Sequence, residues 1–184
     1  MGSFPLYLLR HGAPLTEGRL LGHGDEQASP AGIAACAAQA EGLGPVRLVS
    51  SDLARARACA EAIGTPQLDP RWRELDFGAW DGLTAAEVEP AALARFWDDP
   101  DLYPPPGGEG WSALAARVAE AVAALPAEPT LVVTHGGAMR AALHGLCGLS
   151  LAQTWSFELP CASLLALTVW EGSPRRAQIA GLWP

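Results

Sequence analysis

Two stretches of the chain share one form: a short apolar run that stops abruptly at His-Gly. They are Leu8-Leu9-Arg10-His11-Gly12 and Val132-Val133-Thr134-His135-Gly136-Gly137. Residues 4–9 and 130–134 read as buried strands, each feeding a loop or a helix. In a parallel α/β sheet, ligands sit in the crevice outside the carboxyl ends of the strands. Two such ends can place two histidines facing each other across that crevice. The glycines let backbone approach a ligand closely. Gly137 opens a helix whose free N–H groups favour an anion.

The remaining segments agree with such a sheet. Ser29-Pro30 opens an Ala-rich helix to about Leu43, with Ser suited to the N-cap and Pro to the first helical position. Residues 46–50 read as a strand, and 52–63 as a helix closed by Gly64 and Pro66. The stretch 71–83 has no clear period. Thr84-Ala85-Ala86-Glu87 has the capping-box pattern and is expected to open a helix to about Trp97. Pro104-Pro105-Pro106-Gly107-Gly108 is a stiff loop. Residues 111–125 read as a helix ended by Pro126, and another helix follows Gly136-Gly137 to about Leu146. Residues 154–159, 163–170 and 177–183 look like strands, with a turn at Gly172-Ser173-Pro174. Alternating strands and helices predict an α/β fold: a three-layer αβα sandwich with a mostly parallel central sheet and antiparallel edge strands near the C-terminus. No repeat, low-complexity tract or linker interrupts the chain, so residues 1–184 are expected to form a single domain.

Composition narrows the chemistry. The net charge of −8 argues against nucleic acid as a partner, because a phosphate backbone needs a basic stripe. Any phosphate ligand must therefore be held by a local cluster of positive charge. All 12 basic residues are Arg, which excludes catalysis by a Schiff-base or P-loop lysine. With abundant Ala, Gly and Pro, the absence of Lys has the look of a GC-rich bacterial genome. Cys36, Cys59, Cys147 and Cys161 form no C-x-x-C and read as small buried hydrophobes in a reducing cytoplasm. Neither a signal peptide nor an apolar run of ~18 residues is present, so a membrane is not expected as a partner and the location is expected to be cytoplasmic. No feature of the sequence speaks to oligomeric state.

Two further pieces carry chemistry. Ser50-Ser51-Asp52-Leu53-Ala54-Arg55 puts Arg55 in the first turn of a helix after a strand. The helix dipole disfavours a cation there, and a bound anion would resolve the conflict. Arg73-Glu74-Leu75-Asp76-Phe77-Gly78 supplies carboxylates that can donate a proton to a leaving alkoxide. Other polar groups take plainer readings. His23 and His144 are surface or satisfied core groups, Asp76 is structural, and Arg57, Arg71, Arg73 and Arg117 are solvated faces. Trp80, Phe96, Trp97, Tyr103 and Trp111 read as core in preference to pocket. His11 and His135 lack neighbouring carboxylate or Cys ligands at metal spacing, so neither a metal nor another cofactor is expected.

Taken in order, these segments resemble the histidine phosphatase (phosphoglycerate mutase-like) superfamily. Arg10-His11-Gly12 is similar to its R-H-G signature, and Gly18 to Asp25 to the segment that follows. Ser51-Asp52-Leu53-Ala54-Arg55-Ala56 resembles S-x-L-x-R-A, and Glu74 to Gly82 resembles E-x-x-F-G-x-W-x-G. Pro105 to Glu109 and His135-Gly136-Gly137-x-x-Arg140 also match. Each match alone is weak; six in order are specific. The resemblance implies that His11 becomes phosphorylated and that Arg10, Arg55 and a protonated His135, with Gly136 beside them, hold the phosphoryl oxygens. It also implies that Glu74 acts as acid and then base, and that Glu109 and Arg140 line or brace the site. Ala13, where Glu is common, Glu26-Gln27-Ala28-Ser29, Cys59 and Gly110 depart from the family pattern without removing any of these groups.

The expected activity is therefore hydrolysis of a small phosphomonoester through a phosphohistidine, without a metal. Compact bacterial members similar to this chain include α-ribazole phosphatase. The alternatives are phosphoglycerate mutase activity, disfavoured by the compact chain, and a non-catalytic phospho-ligand or protein-binding module on the same fold. Retention of His11, Glu74, Arg55 and His135 together speaks against that module.

Overall fold

Hydrophobic alternation builds the sheet from its centre outwards. The computed structural model describes residues 2–44 and 46–184. Strand β1 (Ser3–Arg10) lies between β4 (Thr130–Thr134), parallel to it, and β5 (Leu164–Trp170), antiparallel to it. Beyond β4 lie β2 (Arg47–Ser50) and the two-residue β3 (Gln67–Leu68), both parallel; β6 (Arg176–Trp183) closes the other edge antiparallel to β5. The order is β3-β2-β4-β1-β5-β6. Successive residues of β1 point to opposite faces. Leu6 and Leu8 join one buried cluster and Leu9 the other; Val132 is split in the same way from Leu131 and Val133 on β4.

Helices cover both faces, which gives the expected three layers. The α1 (Pro30–Ala40) and α2 (Ala54–Glu61) pair packs on the Leu9 side, through Cys36, Ala56, Cys59 and Ala60. On the Leu8 side are α3 (Pro90–Asp98), α4 (Trp111–Ala124) and α5 (Gly136–Cys147), with Leu114, Val118, Met139 and Leu143 buried. Ser29 caps α1 through the N–H of Gly32, with Pro30 at the first helical position, as the sequence predicts.

Two expectations need correction. Thr84 and Glu87 do bond one another, but the helix begins only at Pro90. Pro90 holds Glu89 out of the helical region, and the Glu89 carboxylate then caps the N–H groups of Ala91 and Ala92. Residues 154–159 are not a strand. A short helix, α6 (Leu151–Thr154), starts at the reciprocal capping box of Ser150 and Gln153 and runs into a loop. The carbonyls that a strand would offer to a neighbour are taken by guanidinium groups: Thr154 and Phe157 by Arg140, and Leu159 by Arg10. Two single-turn 3-10 helices, Pro70–Trp72 and Gly78–Trp80, occupy the stretch without a clear period.

Candidate active site

The register of β1 on β4 aligns Arg10 with Thr134, so the next residue of each strand, His11 and His135, emerges side by side. Their ring centroids are 5.0 Å apart. The chain leaves β1 towards α1 on one face and β4 towards α5 on the other, which opens a crevice between them. The crevice leads into a cavity of about 600 Å³ whose wall includes Arg10, His11, Glu74, Gly136, Gly137 and Arg140.

His11 is buried, and its Nδ1 lies 2.7 Å from the Gly12 carbonyl. A carbonyl can only accept, so Nδ1 carries the proton and Nε2 keeps its lone pair. Burial, followed by the charge of Arg55, pushes the His11 pKa down to about 3. The ring is therefore a neutral base with a free nitrogen. Gly12 is required here: a Cβ would collide with the backbone of Gly32 in α1. The Gly12 N–H donates to Cys59 Sγ at 3.3 Å, one helical turn after Arg55 on α2.

His135 is fully buried; its Nε2 meets Ser51 Oγ at 2.9 Å, while Nδ1 has no partner among the described residues. Burial and then the positive charge of Arg55 hold its pKa well below the ordinary histidine range. The expectation of a protonated His135 concerns the phosphate-bound site; in the ligand-free protein burial and the surrounding positive charge favour the neutral ring. Ser51, which orients this ring, stands inside the S-x-L-x-R-A segment, yet the sequence assigns it no role.

Glu74 occupies the N-terminus of α5. Its Oε2 accepts the N–H of Gly137 at 3.1 Å, and its Oε1 accepts its neighbour Leu75's N–H at 2.8 Å. A Cβ on Gly137 would collide with Oε1, so glycine is what admits the carboxylate. The Glu74 carbonyl is held by Arg117 Nη2 at 2.7 Å and approached by His23 Nε2 at 3.0 Å.

Arg117 corrects the solvated-face reading. It forms a two-pronged pair with Glu109, at 2.8 Å for each contact, and also donates to the carbonyls of Arg71 and Arg73. Glu109 accordingly braces the Glu74 segment and does not line the cavity. Arg73 is likewise engaged, in a two-pronged pair with Asp52, and Arg71 pairs with Asp69. Arg57, in contrast, is exposed as expected.

Arg10 donates to the Leu159 carbonyl at 2.5 Å, and its buried Nε has no partner; its guanidinium lies against Gly136. Arg55 is placed differently from the expectation that it grips the phosphoryl group directly. It is fully buried, and its terminal nitrogens donate to the carbonyls of Leu21, Gly22 and Gly24, leaving Nε unpartnered. It clamps the 21–24 loop, and its charge acts on both histidines. Phe96, Trp97 and Trp111 line the cavity, whereas Trp80 is in the core and Tyr103 is exposed. Among the described residues, no cluster of three or more His, Cys, Asp or Glu side chains is placed to hold a metal.

This arrangement matches known proteins along its length. The sequence pattern described as histidine phosphatase superfamily (branch 1) matches residues 6–180. Glucosyl-3-phosphoglycerate phosphatase of Mycobacterium tuberculosis is 36% identical over 171 residues, covering 80% of this chain and 77% of that protein. The native structure of the mycobacterial enzyme superposes with a TM-score of 0.83 at 30% identity, covering 97% of this chain and 98% of the other. Metal-independent phosphoserine phosphatase of Arabidopsis thaliana is 34% identical over 160 residues, covering 74% of this chain and 66% of that protein. A phosphoglycerate mutase structure from Thermus thermophilus superposes with a TM-score of 0.72 at 37% identity, covering 95% of this chain and 96% of the other. On the match over residues 6–180 and these relatives, the chain belongs to the histidine phosphatase superfamily.

Proposed function

We propose that the protein hydrolyses a small phosphomonoester through a phosphohistidine on His11. The observation that carries this reading is the tautomer of His11: Nδ1–H is given to the Gly12 carbonyl, and the ring is held neutral beside fixed positive charge. His11 Nε2 attacks phosphorus as the ester P–O bond breaks, and the leaving alkoxide takes a proton from the Glu74 carboxyl. Water then attacks phosphorus, the P–N bond breaks, and Glu74 takes the proton from that water. Arg10, the Gly136 end of α5 and His135 neutralise the phosphoryl oxygens, with Arg55 contributing its charge. Phosphoryl transfer depends mainly on positioning and charge neutralisation, so this set needs no metal.

Relatives named as phosphatases support hydrolysis, and the thiols of Cys36, Cys59, Cys147 and Cys161, all unpaired, fit a reducing cytoplasm. The mutase structure keeps isomerisation as the second reading. The test is turnover of 4-nitrophenyl phosphate and of a panel including phosphoserine, glucosyl-3-phosphoglycerate, 3-phosphoglycerate and α-ribazole 5′-phosphate. The last is in the panel as a bulky heterocyclic ester that tests the aromatic wall of Phe96, Trp97, Trp111 and Trp155. Wild type releases phosphate after exhaustive chelation, and His11→Ala loses both turnover and acid-labile phosphoenzyme. A His11→Ala enzyme of near-wild-type rate refutes the mechanism; isomerisation of 3-phosphoglycerate with little phosphate release favours the mutase.

A further inference from the structure

Arg140 is a buried cation without a close ion-pair partner among the described residues, and the charges of Arg10 and Glu74 act on it across the cavity. Arg117 and Arg73 are paired with Glu109 and Asp52, whereas Arg140 joins no ion pair among the described residues. Its residue is only 8% exposed. Nη1 is spent on the carbonyls of Thr154 and Phe157, and the Trp155 ring lies 3.8 Å from the guanidinium carbon. Nε and Nη2 make no hydrogen bond within the described protein, and the side chain lines the cavity one helical turn along α5 from Gly136. A guanidinium taken out of water is costly unless it is paired. Stacked on an indole and tied to two carbonyls, this one cannot swing out to solvent.

The wall beside it is apolar. Phe96, Trp97, Trp111, Leu151 and Trp155 contribute, and Trp97 and Trp155 meet edge to face at 5.6 Å. Both are about half exposed, at 50% and 53%, which places them at the cavity mouth. The cavity thus offers, in addition to Arg10, a pre-set cation set against a hydrophobic surface.

We propose that Arg140 anchors a carboxylate on the alcohol portion of the substrate, whose apolar body rests against the Trp97–Trp155 pair. This rests on the phosphatase reading. The edge formed by Nε and Nη2 presents parallel N–H donors, which match the two oxygens of a carboxylate. The substrate class is therefore the phosphorylated hydroxy acid with an apolar body, in preference to a neutral sugar or nucleoside phosphate. A neutral alcohol would leave Arg140 unpaired.

The test compares 3-carboxyphenyl phosphate with its neutral isostere, 3-carbamoylphenyl phosphate. Wild type prefers the carboxylate in kcat/KM by about tenfold or more, the size of a charge-assisted bond. In Arg140→Met the ratio falls to near one. A wild-type ratio near one, or an unchanged ratio in a folded Arg140→Met, overturns the proposal. Should Arg140→Met not fold, binding to wild type decides: 3-hydroxybenzoate quenches tryptophan fluorescence at about tenfold lower concentration than 3-hydroxybenzamide. Equal binding overturns the proposal. The fluorescence measurement needs no turnover, so failure of the phosphatase reading, seen as absent His11-dependent hydrolysis of 4-nitrophenyl phosphate, is recognised separately.

Discussion

Two neutral histidines buried among arginines make the folded protein sensitive to mild acid. A histidine in an unfolded chain takes up a proton near pH 6.5, but folded His11 does so only at about 3. Between those values the unfolded state binds the extra proton, so stability falls as pH falls. Each pH unit well inside the window corresponds to about 1.4 kcal/mol. From pH 7 to pH 5, His11 alone removes roughly 2 kcal/mol of stability, and most of this loss accrues below pH 6.5. His135, also held below its ordinary range, acts in the same direction. Asp52, whose carboxyl Arg73 holds below its usual 3.8, contributes its own loss only at lower pH, so the interval from 7 to 5 isolates the histidines.

The measurement is urea unfolding followed by tryptophan fluorescence at pH 7, 6 and 5, for wild type and His11→Gln in phosphate-free buffer. Gln cannot titrate, so the variant should lose about 2 kcal/mol less than wild type over this range, whatever its stability at pH 7. Inorganic phosphate should lessen the wild-type loss, because a bound anion favours the charged ring. Equal losses in the two proteins would show that His11 is not held neutral by burial, and the tautomer argument for the nucleophile would go with it.

Two substitutions test the proton donor. Glu74→Gln should slow an alkyl phosphate by about a hundredfold or more, and 4-nitrophenyl phosphate far less in the phosphorylation step, because a nitrophenolate needs little protonation to leave. Rapid-quench detection of acid-labile phosphoenzyme should show it accumulating in the variant; equal slowing of both esters without accumulation would remove Glu74 from the proton path. Arg117→Met frees the Glu74 carbonyl and leaves Glu109 unpaired, and its cost should fall on kcat for alkyl esters more than on KM. A change confined to thermal stability would make Arg117 a packing residue only.

The sheet is legible in the sequence because its signals are local. Strands β1, β2, β4, β5 and β6 are apolar runs with clear ends, and Ser29-Pro30 announces α1 within two residues. The failures share a cause: side chains distant in sequence decide them. Residues 154–159 are apolar enough for a strand, yet Arg140 and Arg10 take their carbonyls. Helix α3 starts where Pro90 allows it, not at the nearer capping-box pattern. For the site, His11, Glu74, Arg10, Gly136 and Arg140 border one cavity, with His135 beside His11. Arg117 reads as solvated from sequence because neither its partner Glu109, eight residues earlier, nor the Glu74 carbonyl can be assigned from spacing on α4. Ser51 and Cys59 carry signals visible only in retrospect. Ser51 follows a strand end that must border β4, and Cys59 stands one turn after Arg55.

The charge distribution joins the pieces of the mechanism. The chain carries a net charge of −8, yet Arg10, Arg55 and Arg140 form no ion pair among the described residues, whereas Arg47, Arg57, Arg71, Arg73 and Arg117 all do. Surface arginines find carboxylates readily in so acidic a protein; those of the crevice are tied instead to backbone carbonyls, with Glu74 near enough to act on Arg55 and Arg140 without pairing. Burial first, and then the positive charge led by Arg55, keeps His11 and His135 neutral, which serves the two rings differently. His11 needs its lone pair to attack. In the proposed mechanism His135 takes up a proton only once the phosphoryl group is bound, because the anion brings the negative charge that makes protonation favourable. A phosphomonoester arriving with one proton can share it with His135. The cation of the proposed mechanism is then assembled by the substrate itself.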